Sequence, residues 1–172
     1  GRPYTKIVSS NGVMLRYDGF DDYGKRLILD QEEMEVPAGT WTHKATGTPK
    51  SESIFIYASA DPKAPMTKVA SIDYIEGGYT ETDFTGAKGE ERPSHSKSWT
   101  SGEMTQQADG SWIYKSTGTL KSESVFVYAS ADPKAPMTLV ASIDYIEGGY
   151  TETDFTGGKG KERPIHTFSW TR

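Results

Sequence analysis

The stretch Asp73-Tyr74-Ile75-Glu76-Gly77-Gly78-Tyr79-Thr80-Glu81-Thr82-Asp83 decides the fold, and it recurs unchanged at Asp144–Asp154. A Gly-Gly pair supplies positive φ at little cost, so Glu76-Gly77-Gly78 reads as a tight turn between two strands. Upstream, residues 67–75 alternate. Lys68, Ala70, Ile72 and Tyr74 point one way, and Val69, Ser71, Asp73 and Ile75 the other. Downstream, Tyr79, Glu81 and Asp83 share one face and Thr80, Thr82 and Phe84 the opposite one. The pattern is that of an antiparallel hairpin.

Working outward, a shift of 71 residues lays Thr46–Pro93 on Thr117–Pro164, with identity at 42 of 48 positions. The exceptions are Pro49/Leu120, Ile54/Val125, Ile56/Val127, Lys68/Leu139, Ala87/Gly158 and Glu90/Lys161. Beyond this block the match falls away, although Trp41 pairs with Trp112 and Trp99 with Trp170. Such an internal repeat governs the reading of the whole chain. It divides the chain into an N-terminal extension (1–29), a first unit (30–100) and a second unit (101–172). The uneven identity fits a recent copying event confined to the central block, or two copies that keep the same loops because both use them.

Within each unit, Ser53 to Ala58 is a run of β-branched and aromatic residues that reads as a strand. The prolines of Asp61-Pro62-Lys63-Ala64-Pro65 end it in a loop. Strands are also expected from His95 to Thr100 and around Trp41. Turn signals every 8–12 residues mark an antiparallel sandwich or barrel. The expected fold is therefore all-β, an antiparallel barrel or sandwich built from two fused repeats of about 71 residues that share one core. Residues 1–29 would add strands that cover an open edge.

Composition narrows the function classes. The 172 residues contain no cysteine, which excludes disulfides, thiolate metal sites and cysteine nucleophiles. A net charge of −5 with no basic run argues against nucleic acid as a partner. No stretch approaches the roughly 18 apolar residues of a membrane-spanning helix. The Gly-Gly-Lys-Gly at 157–160 lacks the spacing of a phosphate loop. His43, His95 and His166 are scattered and read as exposed polar residues. The many aromatic, Ser, Thr and Gly residues lean towards a secreted or extracellular protein.

The candidate ligand-binding residues are Asp73, Tyr79, Glu81 and Asp83, with their copies Asp144, Tyr150, Glu152 and Asp154. Tyrosine stacks on sugar rings while carboxylates accept sugar hydroxyls. The same carboxylates could hold calcium, or act as acid and base on a glycosidic bond, or simply keep a sheet edge soluble. No cofactor is expected apart from that possible calcium. Two near-identical hairpins argue against one asymmetric reaction centre and for multivalent binding. The expected function is thus a non-catalytic, bivalent, lectin-like protein that binds carbohydrate or another small polar ligand. The alternatives are a structural or matrix β-repeat protein, and a β-barrel enzyme (lyase, isomerase or glycosidase) with one site in its lumen.

Overall fold

The computed structural model describes residues 49–171 throughout and, before them, the backbone of five strands. The chain divides into two compact units, Gly1–Pro49 and Lys50–Arg172. In the first, β1 (Arg2–Ser10), β2 (Val13–Asp21), β3 (Arg26–Leu29), β4 (Glu32–Glu35) and β5 (Thr42–Ala45) form one antiparallel sheet in sequence order.

The second unit holds β6 (Ser51–Tyr57), β7 (Met66–Asp73), β8 (Tyr79–Thr85), β9 (Arg92–Trp99), β10 (Gly102–Gln106) and β11 (Trp112–Ser116). It continues with β12 (Leu120–Tyr128), β13 (Met137–Asp144), β14 (Gly149–Thr156) and β15 (Arg163–Trp170). Eight of these strands form one antiparallel sheet, in the order β15-β14-β13-β12-β9-β8-β7-β6. Strands β10 and β11 form a separate two-stranded hairpin.

The described residues are thus all-β and antiparallel, as the alternation implies. They do not close into a barrel. Each sheet strand pairs with its neighbour along the chain, and β9 pairs with β12 across the inserted hairpin. Among the described residues nothing brings β15 back onto β6, so the eight-stranded sheet has two edges with no described partner strand. Among the described residues, no helix is long and apolar enough to cross a membrane.

The Gly-Gly turns form where the sequence places them. Gly77 and Gly78 have φ of 69° and 145°, and Gly148 and Gly149 have 74° and 147°. These are conformations a side chain would strain. The Asp73 carboxylate caps the turn, accepting the Ile75 and Glu76 amides at 2.8 and 3.0 Å. The Asp61–Pro65 loop is fastened in the same way, with Asp61 Oδ1 accepting the Lys63 amide at 2.8 Å.

The two sides of the sheet differ because alternate residues differ. On one side Ile54, Ala70, Ile72 and Tyr79 are buried, flanked by Ile56 and Trp99. The β10–β11 hairpin covers this cluster with Met104, Trp112 and Tyr114. Gly102 lets it approach closely, since a Cβ there would overlap the Tyr79 ring. On the other side runs a ladder of hydroxyls. Ser53–Ser71 (2.7 Å), Thr80–Ser98 (3.1 Å), Thr82–Ser96 (3.1 Å) and Ser124–Ser142 (2.7 Å) bond in pairs between neighbouring strands.

Candidate functional site

The β7–β8 hairpin positions the first candidate set and β13–β14 the second. Cross-strand pairing sets Ile72 opposite Tyr79, Ala70 opposite Glu81 and Lys68 opposite Asp83. Tyr79, Glu81 and Asp83 therefore share the apolar side of the sheet with Ala70 and Ile72. Asp73, one residue beyond Ile72, belongs to the hydroxyl side and is occupied in capping the turn. The hairpin thus separates Asp73 from the other two carboxylates. Asp144 stands in the same relation to Glu152 and Asp154, with Ile143 opposite Tyr150 and Ala141 opposite Glu152. Backbone N–H donors hold both turn carboxylates below the usual range, chiefly Glu76 for Asp73 and Glu147 for Asp144.

In the first set the polar groups satisfy one another. Tyr79 is 1 % exposed and donates to Glu81 Oε1 at 2.6 Å. Lys68 Nζ donates to Glu81 Oε2 at 2.8 Å and lies 3.6 Å from Asp83. Burial pushes the Glu81 pKa up, but the Lys68 and Tyr79 bonds outweigh it and the carboxyl ends below its ordinary value. Burial, then the Glu81 bond, raises the Tyr79 phenol far above its usual pKa. The Lys68 ammonium is raised too, mainly by its bond to Glu81.

The second set has the same residues in a different setting. No hairpin among the described residues covers it, and Tyr150 is 37 % exposed beside Trp170 at 44 %. Their rings lie 5.2 Å apart, centroid to centroid. Tyr150 still donates to Glu152 at 2.5 Å, but Leu139 stands where Lys68 stood, so Glu152 lacks that cation. Asp154 instead faces His166 at 3.4 Å.

A basin of about 500 Å³ opens in this half, where β13 turns into β14. Ser122, Ser124, Ser142, Thr151 and Ser169 line it, with Asp144 beside the Gly148-Gly149 turn and Tyr150 and Trp170 at its margin. Each hydroxyl can donate once and accept twice, so even bonded pairs keep spare capacity. Two of the predicted residues, Asp144 and Tyr150, thus border a cavity; the serines and threonines that dominate its wall escaped the sequence reading. Their signal was present in the strict alternation of Ser and Thr on the face opposite Ala141 and Ile143. Among the described residues, no three His, Asp or Glu side chains gather as a metal-ligand group.

A further polar cluster lies where β9 meets β12. His95 Nε2 is 2.5 Å and Lys97 Nζ 3.4 Å from Glu123 Oε1, and Tyr145 donates to Glu123 Oε2 at 3.0 Å. No protein-family model, curated protein or solved structure matches the chain.

Proposed function

We propose that the chain is a non-catalytic, bivalent binding protein whose ligand is a carbohydrate, bound on the hydroxyl side of the sheet. The observation that carries this reading is the basin lined by five hydroxyls and the Asp144 carboxylate. Sugars are recognised by convergent hydrogen-bond donors and acceptors, which the basin supplies; the Tyr150 and Trp170 rings belong to the opposite side of the sheet. The reading is bivalent because the earlier half has the same residues on the same side: Ser51, Ser53, Ser71, Asp73, Thr80 and Ser98. A secreted or extracellular location suits such a ligand.

A glycan array followed by calorimetry tests the proposal. A hit should weaken about fivefold on Ser142→Ala, the cost of one hydrogen bond. Silence across a broad panel of neutral and acidic glycans would end the reading.

The two open edges of the eight-stranded sheet favour a second reading, a structural β-repeat protein built from two 71-residue units. This reading expects assembly into larger objects, measured by light scattering.

A further inference from the structure

The junction of β9 with β12 is the one place where the sheet passes from one sequence copy to the other. Its antiparallel register sets Ser98 opposite Ser122, Lys97 opposite Glu123, Ser96 opposite Ser124 and His95 opposite Val125. Side chains fasten it at both ends. His95 bonds Glu123 at 2.5 Å. Arg92 stacks on the Tyr128 ring, 4.0 Å from its centroid, and donates to the carbonyls of Ser130 (2.8 Å) and Asp132 (2.9 Å). The Tyr128 hydroxyl donates to the Pro93 carbonyl at 2.7 Å.

The open edges have the same parts, divided between them. Strand β15 is the counterpart of β9 and presents Arg163, Pro164 and His166 where β9 has Arg92, Pro93 and His95. Strand β6 is the counterpart of β12 and presents Glu52 and Tyr57 where β12 has Glu123 and Tyr128, followed by Ser59 and Asp61. Each edge holds half of an arrangement that the junction completes. His95 lies 3.8 Å from Asp83 on its own half and reaches Glu123 across the seam; His166 keeps the inner contact, 3.4 Å from Asp154. Tyr57 is exposed, with Lys88 over its ring at 5.3 Å where Tyr128 has an arginine.

We propose that β15 of one copy adds to β6 of a second copy of this chain in the register of β9 with β12. Ser169 then faces Ser51, Phe168 faces Glu52, Thr167 faces Ser53 and His166 faces Ile54. The outward-facing amides and carbonyls of both edges supply the ladder. The edges are complementary, with the Arg163 guanidinium on one and the Glu52 carboxylate on the other, and His166 presents the imidazole that bonds a carboxylate across the internal seam. Two positions depart from the internal junction. Phe168 replaces Lys97, and Pro49 replaces Leu120, so the ladder ends one pair sooner. The contact is head-to-tail, so each added copy leaves a fresh edge and growth continues unless a ring closes. The proposal rests on the structural reading, to which it gives a partner, and is independent of the carbohydrate reading.

Sedimentation velocity and light scattering on the full chain test it. The mass should rise with concentration past that of two chains. His166→Glu and Glu52→Lys should each abolish this growth. Their equimolar mixture should restore it, because the introduced carboxylate then meets the introduced ammonium. Phe168→Lys, which recreates the Lys97–Glu123 pairing across the seam, should shift growth to lower concentration, a gain that misfolding cannot imitate. A single-chain mass at every concentration overturns both the proposal and the structural reading. Assembly that persists unchanged in both charge variants, or a mixture that stays monomeric, overturns the edge contact alone.

Discussion

Tyr79 and Tyr150 occupy identical local sequence, yet one is sealed beneath a hairpin and the other stands half in water. The same substitution should therefore cost differently at the two sites. Removing the hydroxyl in Tyr79→Phe breaks a buried bond to a carboxylate and should lower stability by about 1–2 kcal/mol. Tyr150→Phe should cost less than about 0.5 kcal/mol. Urea denaturation of the two variants checks the contrast. Glu81 makes a second prediction. Its folded pKa lies below its unfolded one, so its contribution is full above the ordinary value of 4.5 and is lost as pH falls through the folded value. Acid titration of Glu81→Gln should show a shallower loss of stability in that window than the parent. Lys68 acts in the opposite direction: its pKa is raised, so its contribution is full below 10.5 and fades as pH rises past the folded value. The candidate residues were legible as a polar hairpin. Their division between two faces was not, because whether Tyr79 stands opposite Ile72 or Asp73 depends on a cross-strand register that alternation within one strand does not fix. Burial of Tyr79 was not, since the covering residues lie far along the chain.

Strands β6 to β9 and β12 to β15 follow from local signals: β-branched runs, prolines that stop ladders and glycine pairs that turn them. Strand β10 was harder, because Gly102 to Gln106 contains one strongly apolar residue, Met104, too little to mark a strand by alternation. Its role depends on a close approach that only glycine permits at position 102. Gly102→Ala should push β10 off the Tyr79 ring and destabilise the protein by about 1–3 kcal/mol, the usual range for overpacking. Thermal unfolding measures the loss. Near-ultraviolet dichroism should report the changed setting of Trp99 and Trp112, which pack in the same cluster.

At the scale of the whole sheet, the two halves, near-identical in sequence, should differ in local stability. Ala70 is fully buried in the half that the hairpin covers, whereas its counterpart Ala141 is only partly buried. Hydrogen exchange should be slower at the Ala70 and Ile72 amides than at Ala141 and Ile143, because local opening is easier where fewer apolar contacts are lost. Equal rates would mean that the hairpin adds nothing to local protection. Closure was the part of the architecture that local pattern could not reach. Whether a run of hairpins curls into a barrel or stays open depends on accumulated twist and on which edges meet, and neither is written in alternation. The β9–β12 seam has a consequence for descent. An unequal crossover that inserted one more 71-residue unit would lengthen the sheet by four strands, and the new seam would reuse the pairing that β9 and β12 already make. A chain with one more copy would therefore need no new interface, as a ruler is extended by copying its own divisions.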